Sequence, residues 1–142
     1  MEWSYFDTIQ RARKGYARAM EPVCHRWNLS RSELDVLLFL ANNPGCDRAA
    51  DVVTGRGMVK SQVSTAVASL EERGLLLRRM DPEDRRTVRL RLTEASEAVT
   101  RAGREAQEEF FRRIFRDLSR EELEAWNRIL HKVQKSIETL EG

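Results

Sequence analysis

The sequence predicts a mainly α-helical protein carrying one small β-hairpin, and three features lead to that expectation. Through most of the chain apolar residues recur at steps of three and four, the spacing that gathers them on one face of a helix. Over residues 75–93, LLLRRMDPEDRRTVRLRLT, the step changes to two. Val88, Leu90 and Leu92 then face a core while Thr87, Arg89 and Arg91 face water. Between the two β-like runs stands Asp81-Pro82-Glu83-Asp84, in which proline fixes φ and the aspartates bond their own backbone, so the chain reverses there.

The first helix is expected from just after Ser4 to about Trp27, on the stripe Tyr5, Ile9, Ala12, Tyr16, Met20, Val23 and Trp27. Pro22 lies within it and should kink or interrupt it, because proline has no amide proton to donate. Ser30-Arg31-Ser32-Glu33 reads as a capping box opening a second helix through Leu34, Leu37, Leu38 and Leu40, and Asn43-Pro44-Gly45 ends it. A short third helix is expected over residues 47–54, packing through Ala49, Ala50, Val52 and Val53, with Gly55-Arg56-Gly57 as the following turn. The fourth, over residues 59–73, buries Val59, Val63, Ala66, Val67 and Leu70. Gly74 closes it and the hairpin follows. Thr93 is expected to cap a fifth helix to about Asp117, with Val99, Ala102, Ala106, Phe110 and Ile114 inward. Ser119-Arg120-Glu121-Glu122 opens a sixth, whose Leu123, Trp126, Leu130, Val133, Ile137 and Leu140 approach a coiled-coil seam.

A chain of 142 residues can bury a core without disulfide staples. Its two cysteines, Cys24 and Cys46, form no framework and no CxxC pair, so both are expected as reduced thiols. MEWSYFDTIQ lacks the basic-then-apolar order of a secretion signal, and no apolar run is long enough to span a bilayer; a cytoplasmic protein without membrane attachment is expected. The net charge is only +2, so its distribution decides more than its size. Residues 60–93 carry 8 basic and 5 acidic side chains, whereas residues 94–142 carry 9 and 11. The positive excess lies on the hairpin.

The fourth helix has an unusual outer face: Lys60, Ser61, Gln62, Ser64, Thr65, Ala68 and Ser69. Solvated helix faces ordinarily collect Glu, Lys and Arg. Short hydroxyls and an amide instead let base edges approach, and they both donate and accept hydrogen bonds. Helix, turn, helix and arginine-edged hairpin together make a winged helix-turn-helix, with Lys60, Ser61, Gln62, Ser64 and Thr65 as the groove-reading residues and Arg85, Arg86 and Arg89 as the wing's contacts to double-stranded DNA. A hairpin that is merely protected by charge is the competing reading. The expected organisation is an N-terminal dimerisation helix over residues 1–29, the winged domain over 30–93 and C-terminal dimerisation helices over 94–142. The apolar stripes of the first, fifth and sixth helices exceed what one small winged domain covers, which points to a homodimer through Ile9, Tyr16, Leu123, Trp126, Leu130, Val133 and Ile137.

The stretch KSQVSTAVASLEERGLLLRRMDPEDRRTVRLRLT also resembles the core of the MarR family of transcription regulators. The family's Lys-Ser-x-Val-Ser helix falls on Lys60, Ser61, Val63 and Ser64. Its Leu-Glu-x-x-Gly-Leu junction falls on Leu70, Glu71, Gly74 and Leu75, and its Asp-x-Arg-x(5)-Leu-Thr wing on Asp84, Arg86, Leu92 and Thr93. The resemblance implies a homodimeric regulator, a repressor, on a palindromic operator, with Arg86 entering the minor groove at the wing tip and Asp84 holding wing arginines in place. Val59 and Thr65 depart from the family pattern, where a Ser or Thr cap and an Arg are frequent, so no operator sequence carries over.

The resemblance further implies a small lipophilic or phenolic effector in a cleft that Tyr5, Tyr16, His25, Trp27 and Trp126 would help to line, although aromatics at helical spacing are foremost core residues and none is assigned as a ligand residue. Some relatives sense peroxide through a first-helix thiol, which makes Cys24 the basis of an alternative, redox-sensing reading if His25 or Arg26 activates it. A helical protein-interaction adaptor that no longer reads DNA is the other alternative. No phosphate loop, nucleophile elbow or His-Glu metal motif is present, so neither an enzyme nor a cofactor is expected, and Cys24, His25, Cys46 and His131 lack metal-ligand spacing.

Overall fold

The computed structural model describes residues 2–141. In chain order it contains α1 (Glu2–Trp27), α2 (Arg31–Asn42), α3 (Ala49–Arg56), α4 (Lys60–Glu72), β1 (Leu76–Met80), β2 (Val88–Leu92), a 3-10 turn (Glu94–Ser96), α5 (Glu97–Ile114) and α6 (Arg120–Glu141). The chain is mainly α with a single two-stranded antiparallel sheet, the architecture of a winged helix-turn-helix. Two compact units divide between Glu108 and Glu109. Met20 and Val23 of α1 and Val99 of α5 are buried in the same cluster as the winged elements. The expected limits at residues 1 and 142 lie outside the described residues. No described helix is long and apolar enough to cross a membrane.

In the first unit α2 is buried on most of its circumference, through Leu34, Val36, Leu37, Leu38 and Leu40. Val52 of α3, Val63, Ala66, Val67 and Leu70 of α4, and Leu75, Leu76 and Leu90 of the hairpin complete the cluster. Each fully buried Val or Leu contributes about 1.5–3 kcal/mol, so this cluster dominates the unit's stability. The Ser30 box forms as expected: Glu33 N–H donates to Ser30 Oγ at 3.1 Å and Ser30 N–H to Glu33 Oε1 at 2.9 Å.

The strands pair Leu76 with Leu92, Arg78 with Leu90 and Met80 with Val88. Leu90 N–H, on the far edge of β2, donates to Asp47 O at 2.7 Å and so joins the hairpin to the loop between α2 and α3. Leu90 is buried and Leu92 half-buried, but Val88 is 44% exposed, because the core ends before it reaches the wing tip.

Several local expectations shift. Pro22 does not interrupt α1, which runs unbroken to Trp27; burial of Met20 and Val23 on either side holds the turn that lacks one hydrogen bond. The third helix starts later than expected because the Asp51 carboxylate accepts from Arg48 N–H at 3.0 Å, making Arg48 its cap, and it continues through Gly55 and Arg56 to Gly57 at φ 66°. Ala49 and Ala50 stay exposed and only Val52 is fully buried. Gly55 is there for space rather than for a turn: a Cβ on it would collide with the Phe39 ring. Val59 caps α4 and is 61% exposed instead of inward, and Thr93 Oγ1 donates to Gly74 O at 2.6 Å instead of capping the next helix.

In the second unit Ser119 and Glu122 form a reciprocal box at 2.9 and 3.1 Å. Phe111 stacks on Phe115, whose ring contacts Trp126. No described residue of α6 is buried, and its seam of Leu123, Trp126, Leu130, Val133 and Ile137 lies open, together with Ile129.

Gly103 of α5 is buried where a Cβ would stand 2.6 Å from Leu38 Cδ2, a side chain itself packed on all sides. Gly103→Ala should therefore lower stability by about 1–3 kcal/mol through overpacking, read as a shift in the urea midpoint at unchanged slope.

Candidate nucleic-acid interface

The stripe Val63, Ala66, Val67 and Leu70 fixes how α4 lies, and it leaves Lys60, Ser61, Gln62, Ser64 and Thr65 exposed on the opposite side. No acidic residue stands in the first turn of α4, so the partial positive charge of its N-terminus is not offset there and adds to that of Lys60. Gln62 Oε1 accepts from Val59 N–H at 3.4 Å, the half of a capping box that needs no polar side chain at position 59, and the bond leaves the Gln62 amide N–H donors unused. Ser61, Gln62 and Thr65 share a shallow depression with Ser30 and Ser32 of the neighbouring helix start. Ser69 differs from the rest of the polar face, since its hydroxyl donates to Glu33 at 2.9 Å.

At the wing tip Asp81 N–H donates to Thr87 O, and Thr87 N–H to Asp84 O, both at 2.9 Å. Asp84 Oδ1 accepts from Arg86 N–H at 3.1 Å, and its Oδ2 from the Thr87 hydroxyl at 3.0 Å. Asp84 therefore shapes the backbone that carries Arg86 and grips no arginine side chain, which corrects the expected role. Arg85 and Arg86 are both exposed. Arg89 also departs from expectation. Its Nη1 donates to Asp47 at 2.7 Å and its Nε to Asp81 at 3.1 Å, so the side chain anchors the wing to the α2–α3 loop and is only 35% exposed.

Asp47 and Asp81 are thus the carboxylates that hold a wing arginine, and sequence reading missed both. Arg89 faces Arg79 across the strands, a like-charge pair that costs stability unless neutralised. Asp47 and Asp81 hold the Arg89 guanidinium above its ordinary pKa, and the Glu83 N–H followed by Arg89 holds the Asp81 carboxyl below the usual range. The Asp81-Pro82 pair gives a hint of Asp81's Asx bond to Glu83, at 2.9 Å, but nothing local marks a partner 42 residues away.

Of the residues expected at a dimer surface, Ile9, Leu123, Trp126, Leu130, Val133 and Ile137 are exposed. Tyr16 is not on that open stripe: it packs against the core, accepts from Gln107 Nε2 at 2.7 Å and lies under the guanidinium groups of Arg31 and Arg56. Burial raises the Cys24 thiol above its ordinary pKa, with Arg31 only partly opposing, the reverse of an activated thiolate. Among the described residues no three His, Cys, Asp or Glu side chains gather as a metal site.

A buried-core helix pair that presents a hydroxyl and amide face, followed by a hairpin whose tip carries free guanidinium groups, defines a winged helix-turn-helix protein of the nucleic-acid-binding kind. A family model described as the MarR family matches residues 27–87. The HTH-type transcriptional repressor IacR of Pseudomonas putida is 27% identical over 139 residues, which span 95% of this chain and 80% of that protein. The crystal structure of a MarR-family transcriptional regulator from Silicibacter pomeroyi superposes with a TM-score of 0.80 at 22% identity, covering 92% of this chain and 87% of that one. The structure of Bordetella bronchiseptica BpsR, from work on regulation of its DNA binding by 6-hydroxynicotinic acid, gives 0.70 at 24% identity over 92% and 98%. Residues 27–87 are thus similar to the MarR family, and the fold as a whole is that of winged helix-turn-helix proteins.

A carboxyl with a depressed pKa contributes stability that is full above its unfolded pKa and is lost as pH falls through the folded value. The wing's anchorage through Asp81 should therefore persist through mildly acidic solution and fail only below the ordinary carboxylate range. Amide exchange across β2, followed from neutral to acid pH, should show constant protection until that point, and Asp81→Asn should remove the transition while lowering protection at neutral pH.

Proposed function

We propose that the protein is a DNA-binding repressor that acts as a homodimer on a palindromic operator and is released by a small aromatic or otherwise lipophilic effector. The observation that carries this reading is the outer face of α4, where Lys60, Ser61, Gln62, Ser64 and Thr65 stand exposed with no carboxylate in the first turn. A helix of that kind enters a major groove without repelling phosphates, and its hydroxyls and amide bond to base edges. Arg85 and Arg86 at the wing tip supply contacts to phosphate or the minor groove, where negative potential is high. Arg89 supports them from behind rather than touching DNA.

The similarity to IacR, named a repressor, supports the sign of regulation, and that to BpsR, whose DNA binding is regulated by a hydroxylated aromatic acid, supports an effector of that class. The open seam of α6 and the exposed Tyr5, Phe6 and Ile9 of α1 are the surfaces a second copy would cover. The effector would shift the population between dimer geometries with different spacing of the two α4 helices. The raised pKa of Cys24 favours this reading over a thiol switch.

Selection of duplexes from a random library by the purified protein tests the reading, with two half-sites about one helical turn apart expected; recovery of no preferred sequence would overturn it. On the selected duplex, Arg86→Ala should weaken binding to all sequences alike and reduce the magnitude of the salt slope by about 1. Gln62→Ala should instead change the preferred base at one position of each half-site by about 1–3 kcal/mol. Placing charge in the open seam, as Leu130→Glu with Ile137→Glu, should give a monomer in sedimentation analysis that binds a full operator no better than a half-site.

A further inference from the structure

The reading face of α4 ends at Thr65, yet the strongest polar tethers of the helix lie beyond it. Ser69 Oγ donates to Glu33 Oε2 at 2.9 Å. Arg73, which caps α4, sends Nη1 to Asn28 O at 2.8 Å and Nη2 to Trp27 O at 2.6 Å, with Glu33 Oε2 3.7 Å from Nη1. Glu33 is nearly buried and uses its other oxygen on Ser30 N–H at 2.9 Å. One carboxylate thus bridges the start of α2 and the end of α4, and one guanidinium clasps the last carbonyls of α1, where Asn28 turns the chain at φ 51°.

Those carbonyls are the unsatisfied acceptors at a helix C-terminus, which a planar, fork-shaped cation satisfies in pairs. Arg73 lies eight residues beyond Thr65, about 12 Å along the helix axis, and two of its five N–H donors are already engaged by backbone carbonyls. It is therefore poorly placed to serve as a phosphate contact. What the cluster does is fix the far end of α4 against two other helices, so that a rotation of the end of α1 would be transmitted to the face that reads bases.

We infer that Glu33 and Arg73 are positioning residues for DNA reading: they hold α4 at the tilt at which Ser61, Gln62, Ser64 and Thr65 meet base edges, and they couple that tilt to the C-terminus of α1. The inference rests on the proposed DNA reading by α4. It assigns to these two residues sequence discrimination rather than general affinity.

The test compares wild type, Arg73→Ala, Arg73→Lys and Glu33→Gln on the selected duplex and on a scrambled duplex of the same length, across a salt series. Both Arg73 variants should reduce the preference for the selected duplex by about threefold to thirtyfold, the range of couplings carried through packed networks. Affinity for the scrambled duplex and the salt slope should stay at wild-type values, and Glu33→Gln should change preference in the same direction. Lysine keeps the charge but cannot clasp both carbonyls as the fork does, so a wild-type preference in Arg73→Lys would overturn the inference, as would equal losses on both duplexes with a shallower salt slope. Should Arg73→Ala melt at the assay temperature, Ser69→Ala and Ser69→Thr serve instead: Ser69→Ala, which loses the bond to Glu33, should discriminate less well than Ser69→Thr, which keeps a hydroxyl, and equal discrimination by the two would overturn the inference. A wild-type protein without sequence preference would overturn the DNA-reading proposal itself, and with it this one; a selective wild type with equally selective variants would overturn only this one.

Discussion

The structure depends on the burial of four residues of α4, Val63, Ala66, Val67 and Leu70, against a helix that is itself almost wholly inside. That stripe is narrow, one residue or two per turn, so it admits a single rotation of α4 about its axis. Everything on the opposite side then follows without further specification. Lys60, Ser61, Gln62, Ser64 and Thr65 face outward because their neighbours in the sequence must face inward. A polar residue at position 67 or 70 would cost core stability and weaken the packing that sets which face of α4 is outward.

The same constraint explains which parts of the fold can be read from sequence. Helical periodicity located α1, α2, α4, α5 and α6, since each buries or offers a stripe that only one rotation satisfies. The boxes at Ser30 and Ser119 were legible because both partners of each hydrogen bond lie within one turn. Local signals failed where a distant group decided the outcome. Gly55 reads as a turn, but its lack of a side chain makes room for the ring of Phe39, sixteen positions earlier in the chain. Thr93 reads as a cap, but its hydroxyl is taken by Gly74 across the base of the hairpin.

The candidate interface divides in the same way. Exposure of the α4 face and of Arg85 and Arg86 could be foreseen, because both follow from alternation and helical spacing alone. The commitment of Arg89 to Asp47 and Asp81 could not, as strand alternation places a side chain on a face without saying what waits there. Tyr16 shows the converse: it belongs to the apolar stripe of α1 by spacing, yet its hydroxyl accepts from Gln107 and its ring lies under two guanidinium groups. Only the C-terminal half of α1, around Met20 and Val23, enters the core, and Tyr5, Phe6 and Ile9 remain open.

The distribution of charge sets the hairpin apart from the outer face of α4. Arg78 is paired with Glu71, and Arg89 with Asp47 and Asp81. Among the described residues Arg79, Arg85, Arg86 and Arg91 form no ion pair, so the hairpin's uncompensated charge is carried by these four, with Arg85 and Arg86 at its tip. The attraction of such charges for a polyanion is long-ranged and indifferent to sequence. The face of α4 holds one lysine among hydroxyls and an amide, whose hydrogen bonds are short-ranged and directional. On the proposed reading, affinity and selectivity would reside on different elements, joined through the anchored hairpin and a shared core.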